Sequence, residues 1–151
     1  MEPFARRVMP LGPGTPLEEH RAAIAAATVS RACRAGLYLL YDFLDESHAI
    51  SQELPTPEGS FWHAVMHRRE PDAFNSKYWF AKVGPHRVFA SLVAEGPSLG
   101  YAYTSPAAFV DFCERVRGSG SAEEELAMRV QTREWELLFE YCREYEAAVR
   151  G

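Results

Sequence analysis

Proline and glycine divide this 151-residue chain into short segments, and this division constrains the fold more than any other feature of the sequence. Between the breaks, apolar residues recur at three- and four-residue spacing, which is typical of amphipathic helices. Proline separates such segments because it disfavours helical geometry in the preceding residue and suits the first turn of the next helix. The sequence therefore predicts an all-α protein, an irregular single-domain bundle of five or six helices.

Capping residues and glycines indicate where the helical domain and its first helix begin. Residues 1–14 contain three prolines and two glycines, and we expect them to form a flexible N-terminal arm. Thr15 begins a capping sequence in which proline follows at the first helical position and glutamate at the third. Residues 15–151 are therefore predicted to form a single helical domain. Its first helix is expected to reach about Gln52, with a bend near Gly36.

The same features predict the limits of the later helices and part of the core. Four residues on apolar helix faces are expected to be buried: Leu40, Leu44, Trp62 and Val65. Further helices are predicted over residues 57–69, 71–83, 86–95, 105–118 and 121–151, with residues 97–104 as a loop or a short strand.

Composition and charge limit the classes of partner. Hydrophobic residues make up 47% of the chain and charged residues 25%, a balance typical of folded globular proteins. The formal net charge of -5 disfavours binding to nucleic acid or to an anionic membrane, since both need a cationic surface. No apolar run approaches the roughly 20 residues that span a bilayer, and no secretory leader is visible. The three cysteines form no close pair, so a reduced, cytoplasmic setting is expected.

Three histidines form the strongest chemical pattern in the chain. His63, His67 and Glu70 follow one another at spacings of four and three, so they share one face of the predicted helix. His48 lies on the apolar face of the preceding helix. If the two helices pack antiparallel across the short connection of residues 55–59, His48 comes to face the other two histidines. Imidazoles one turn apart can hold a single metal ion, which predicts a site for divalent zinc, nickel, iron or manganese.

The residues next to this pattern suggest roles in a metal-assisted reaction on a small molecule. His48, His63 and His67 are the predicted metal ligands. Glu70 or Asp72 is the predicted base or fourth ligand. Arg69 is a candidate anchor for the substrate, because a guanidinium group matches carboxylates and phosphates.

Other functions fit the same residues. A metal-free binding protein for an anionic small molecule is one of them, with a site formed by Arg68, Arg69, Asn75, Lys77 and Trp79. A protein without a catalytic site is another, in which the aromatic surface mediates homo-oligomerisation or other interactions. In either case the histidines can form a structural hydrogen-bonding network, as partly buried histidines often do.

Two resemblances rest on these residues. The stretches Ser47–Gln52, Trp62–Asp72 and Asn75–Phe80 together resemble a group of mostly bacterial helical proteins to which no activity is assigned. More loosely, the histidines resemble those of DinB-like helical bundles. These bundles place one histidine on an early helix and an H-x-x-x-H pair on a later one, around a divalent metal.

The second resemblance implies a role for each histidine. His48 matches the lone histidine, and His63 with His67 matches the pair, while Arg68 matches a residue common after it. In this chain the lone histidine lies only fifteen residues before the pair, a spacing that leaves out the usual intervening helix.

Overall fold

The computed structural model describes residues 8–150, with side chains described as far as Tyr145. Within that range the chain forms helices and no strand, so the predicted all-α class is confirmed. A short 3-10 helix, Glu18–His20, comes first. The α-helices that follow are α1 (Arg21–Ala26), α2 (Arg31–Leu40), α3 (Leu44–Ser51), α4 (Pro57–Arg69), α5 (Ala73–Val83), α6 (Arg87–Leu99), α7 (Pro106–Val116) and α8 (Ala122–Arg150). The predicted number of five or six is wrong, because these residues form eight.

The additional helices lie in the first third of the chain, where one long helix was expected. α1 ends where Ala27 turns to extended backbone, with ψ of 138°. Ser30 then starts α2, since its side chain accepts a hydrogen bond from the backbone N–H of Cys33 at 3.2 Å. After α2, Asp42 takes a left-handed conformation with φ of 69°, which redirects the chain into α3. Three helices therefore replace the predicted one.

The later helices follow the prediction more closely. α4 matches its predicted limits, and Thr56 caps it by accepting from the N–H of Gly59 at 3.0 Å. α5 ends before Gly84, as predicted. The predicted end of α6 at residue 95 is wrong, because the helix continues through Pro97 to Leu99 and is capped by Gly100. That glycine adopts a left-handed conformation and donates to the carbonyls near the helix end.

The predicted core residues are buried, as expected. Trp62 is 1% exposed, Leu40 and Val65 are each 2% exposed, and Leu44 is 9% exposed. They belong to one hydrophobic cluster that also takes in residues of α6, α7 and α8. Within residues 8–150, no helix combines the length and the apolar character that crossing a membrane requires.

The chain before the first helix packs against this body through an N-terminal strap, residues 9–13. Of the predicted arm, residues 1–7 lie outside the described residues. Met9 and Leu11 are buried, at 0% and 2% exposure. Side chains bind all five strap carbonyls: Gln131 binds those of Met9 and Pro10 at 3.2 and 3.1 Å, Arg117 that of Leu11 at 3.3 Å, and Arg69 those of Gly12 and Pro13 at 3.0 and 3.2 Å.

Gly36 of α2 permits a close contact with the Trp62 ring of α4. A Cβ atom at this position would lie 2.6 Å from Cζ2 of Trp62, a ring with no room to move because it is buried. Gly→Ala inside a helix normally stabilises by about 0.5–1 kcal/mol. Gly36→Ala is instead expected to lower the free energy of unfolding by about 1–3 kcal/mol, as overpacking does. Urea denaturation measures the difference.

A second background isolates the cause of that effect. Trp62→Phe removes the two indole atoms nearest to the new methyl group, Cζ2 and Cη2. Gly36→Ala should therefore cost less in the Trp62→Phe protein than in the natural chain. Stabilisation by Gly36→Ala in the natural chain would contradict the contact.

Candidate metal centre

α3 and α4 bring the three predicted histidines together. α3 carries His48, and α4 carries His63 and His67. The short connection of residues 52–56 leaves the two helices in contact. The ring centroid of His48 lies 4.7 Å from that of His63 and 5.6 Å from that of His67, and the last two rings are 4.8 Å apart.

The ring nitrogens of the three histidines converge. One nitrogen from each histidine lies within 4.8 Å of the other two. Two nitrogens bound to one tetrahedral zinc ion are about 3.3 Å apart, given Zn–N bonds of about 2.0–2.1 Å. The three rings are therefore a candidate donor set for one divalent ion.

His63 is the buried member of the cluster. The residue is 3% exposed, and within the described part of the chain its Nδ1 atom has no hydrogen-bond partner. Burial, together with a smaller contribution from repulsion by the neighbouring His67 and His48 rings, lowers the pKa of His63 to about 4. The imidazole is therefore neutral near pH 7, which is the form that binds a metal.

Glu70 contacts the cluster through a hydrogen bond to His67. The two residues are three apart at the end of α4, and the distance from Nδ1 to the carboxylate Oε1 is 2.8 Å. The side chain of His67 is 14% exposed and that of Glu70 41% exposed. Glu70 is therefore on the solvent side of the histidines and accepts from one of their rings.

Trp79 reaches the cluster from α5. Its indole stacks on the His63 ring with centroids 3.9 Å apart and an interplanar angle of 15°. The Lys82 ammonium group lies 5.6 Å from the centroid of the same indole ring. Trp79 thus covers one face of the buried histidine and is the only residue of the predicted anion site found beside it in the described structure.

Asp72, Asn75 and Lys77 have other partners. Asp72 caps α5, since its carboxylate accepts from the backbone N–H of Asn75 at 3.2 Å and from the Asn75 side chain at 2.7 Å. The Lys77 ammonium group pairs with Asp111 at 2.7 Å on the exposed side of α5. The structure therefore supports a capping role for Asp72, although one of its oxygens lies within 4.8 Å of ligand atoms of His67 and Glu70.

The two neighbouring arginines point away from the histidines and into the protein. Arg68 forms two hydrogen bonds with Glu134, at 2.6 and 3.0 Å, and a third with Gln131 at 3.1 Å. Arg69 pairs with Asp42 at 2.6 Å and also binds backbone carbonyls of the strap and of α2. Both arginines are 0% exposed. Their placement favours a role in holding the fold together over contact with a ligand.

One of these partners, Glu134, could have been identified from the sequence. Glu134 lies four residues after Val130 and four before Leu138, so it falls on the apolar face of α8. A charged residue on such a face indicates a buried ionic partner. For Asp42 the sequence shows no comparable pattern, because its position depends on the left-handed turn between α2 and α3.

His86, whose role the sequence left undecided, lies apart from the cluster. Its Nε2 atom contacts the Glu58 carboxylate at 2.9 Å, and its Nδ1 accepts from the N–H of Val88 at 3.1 Å at the start of α6. One ring nitrogen therefore joins the start of α6 to α4, and the other caps α6.

The comparisons with known proteins identify no family. No protein-family model matches the chain, and neither the curated proteins nor the solved structures contain a match to it. The function of the chain is therefore inferred from the geometry of the site.

Proposed function

We propose that the protein binds one divalent transition-metal ion through His48, His63 and His67, and that this ion serves a small-molecule site. The observation that carries the proposal is the convergence of three ring nitrogens, from two helices, within 4.8 Å of one another. Neutral imidazoles favour zinc, nickel or iron over calcium and magnesium, which prefer oxygen ligands. Manganese, which prefers oxygen ligands, is the least favoured of the four metals that the sequence predicted.

Two further features support an ion at this place. A neutral His63 ring, buried and with a free Nδ1 within the described residues, presents a lone pair at no cost in deprotonation near pH 7. His67 already forms the hydrogen bond to a carboxylate that metal-binding histidines usually make with the other ring nitrogen.

Access for a small molecule is the second part of the proposal. A surface depression is lined by Ser51, Ser60 and Trp79, among other residues. Trp79 both lines this depression and stacks on His63, which places the depression next to the cluster. Three protein ligands would leave a coordination position for water or substrate, and a bound divalent ion supplies Lewis acidity there.

The competing function is a purely structural one. The stacking of Trp79 on His63 favours it, because ring packing alone can account for a buried histidine. The anion-binding alternative has less support, since the guanidinium groups of Arg68 and Arg69 are buried in ion pairs.

Metal analysis of the protein, purified without a histidine tag, distinguishes these functions. After incubation with zinc or cobalt and removal of free ion, we expect about one ion per chain. His63→Ala and His67→Ala should each abolish stoichiometric binding, and His48→Ala should weaken it, because each removes one arm of the chelate. Helicity by circular dichroism should be largely retained in all three variants.

His86→Ala provides the matched control. It removes a histidine that also pairs with a glutamate but lies outside the cluster, so the ion content should not change. If the natural protein retains no ion, and the three cluster variants only lower the melting temperature, the structural function is correct and the proposal is wrong.

A further inference from the structure

The hydrogen bond between His67 and Glu70 determines which atom of His67 is available to an ion. A carboxylate oxygen accepts and the imidazole donates, so the 2.8 Å contact places the ring hydrogen on Nδ1. The lone pair is then on Nε2, at the other side of the ring. A histidine held in one tautomer and one orientation is a better ligand than a free one.

The same contact separates Glu70 from the coordination sphere. An Oε1 atom that accepts the Nδ1 hydrogen lies on the opposite side of the imidazole from Nε2. A single ion on Nε2 of His67 is therefore out of reach of this oxygen in the arrangement that the structure shows. Glu70 also lines a different surface depression, one shared with Asp42, Asp45 and Glu46.

The end of α4 holds this pair in place. The N–H of Glu70 donates to the carbonyls of Met66 and His67, at 3.1 and 3.2 Å, and the N–H of Asp72 donates to the carbonyl of His67 at 2.7 Å. The two residues that carry the contact are thus joined through the backbone of one short turn. Asp72 takes part through its backbone, while its carboxylate caps α5.

We infer that Glu70 is a positioning residue of the metal centre, which fixes the His67 ring so that Nε2 binds the ion, and that it is not a ligand itself. This inference rests on the proposed function, and it replaces the sequence-based role of Glu70 as base or fourth ligand. It leaves the fourth position at the ion to an exchangeable small ligand, such as water or an anion that replaces it.

Cobalt titration of the natural protein and of two Glu70 variants tests this role. Glu70→Ala removes the acceptor and should lower the affinity for Co²⁺ by about 10–100-fold. Glu70→Gln keeps an oxygen that can accept the Nδ1 hydrogen, so it should recover most of the affinity. In all three proteins the visible absorption bands of bound Co²⁺ should keep their positions, because the set of ligand atoms is unchanged.

Glu58→Ala is the matched control. It removes a glutamate in the first turn of α4 whose carboxylate contacts the ring of His86 at 2.9 Å, away from the cluster. It should leave the affinity for Co²⁺ and the absorption bands unchanged, whatever it does to stability.

The outcomes separate this inference from the proposed function. If the natural protein binds Co²⁺ and both Glu70 variants lose affinity alike with shifted bands, Glu70 is a ligand and the inference is wrong. Unchanged affinity in Glu70→Ala also overturns it. Absence of Co²⁺ binding to the natural protein would instead overturn the proposed function, and with it the inference that depends on it.

Discussion

Arg68→Ala should lower the free energy of unfolding by about 3–5 kcal/mol, because it leaves the buried Glu134 carboxylate without its cation. The two side chains are 1% and 2% exposed and form a two-point contact, with the shorter distance 2.6 Å. The Arg68 guanidinium also binds Gln131, which in turn holds the strap carbonyls of Met9 and Pro10. Urea denaturation followed by circular dichroism measures the loss.

Two control variants show whether the unpaired charge causes that loss. Lys77→Ala breaks an ion pair with Asp111 whose side chains are 41% and 60% exposed, so it should cost less than about 0.5 kcal/mol. The double variant Arg68→Met with Glu134→Leu removes both charges and should cost less than Arg68→Ala alone. Equal losses in the free energy of unfolding for Arg68→Ala and the double variant would mean that lost packing, and not the unpaired carboxylate of Glu134, accounts for the effect.

The same experiment bears on function. If Arg68 only holds the fold together, the variant that remains folded should bind metal with the stoichiometry of the natural protein. Its side chain is directed towards α8 and not towards the histidines of α3 and α4. Loss of metal from a folded Arg68→Ala protein would indicate that the ion pair and the metal centre are coupled through α4.

The helices that the sequence predicted well are those whose ends carry local chemistry. α4 begins after a capping threonine, with proline in the first turn, and α5 ends at a glycine with φ of 69°. These features act within one turn, so they can be found without knowing the fold. α1, α2 and α3 were predicted as one helix because their breaks contain no proline or glycine. Ser30 caps α2, but unlike Thr56 it is not followed by proline. The residue that turns the chain between α2 and α3 is Asp42, which is not a glycine or a proline.

Part of the candidate site followed from periodicity and part did not. The four-residue spacing of His63 and His67 places both rings on one face of α4 whatever the tertiary structure. The approach of His48 depended on the short connection between α3 and α4, which the sequence also shows. The partners of Arg68 and Asp42 lie 66 and 27 residues away along the chain, so no local pattern identifies the pairs.

A second large effect is expected on acidification of the metal-free protein. The pKa of His63 is lowered to about 4 in the folded state, chiefly by burial, whereas an unfolded histidine titrates near 6.5. Above about pH 6.5 the ring is neutral in both states, so this group adds no pH dependence. Between about pH 6.5 and 4 the unfolded chain binds a proton that the folded chain does not, and stability falls as the pH falls.

The expected loss of stability is limited both in size and in the range of pH over which it occurs. The slope contributed by one group is at most about 1.4 kcal/mol per pH unit, which gives up to about 3 kcal/mol over the window. Below about pH 4 the ring is protonated in both states, and His63 causes no further loss. Urea denaturation at half-unit steps of pH, with a chelator present, measures the profile.

His63→Phe isolates the contribution of this one ring. Phenylalanine keeps an aromatic ring that can stack on Trp79 but takes up no proton. All other ionisable groups are present in both proteins, so the difference between the two profiles reports His63 together with its repulsion by the neighbouring rings. The natural protein should lose stability relative to His63→Phe between about pH 6.5 and 4, and the difference should level off below that window. Parallel profiles would show that the pKa of His63 is the same in the folded and unfolded states. The ring would then be open to water and not kept neutral by burial.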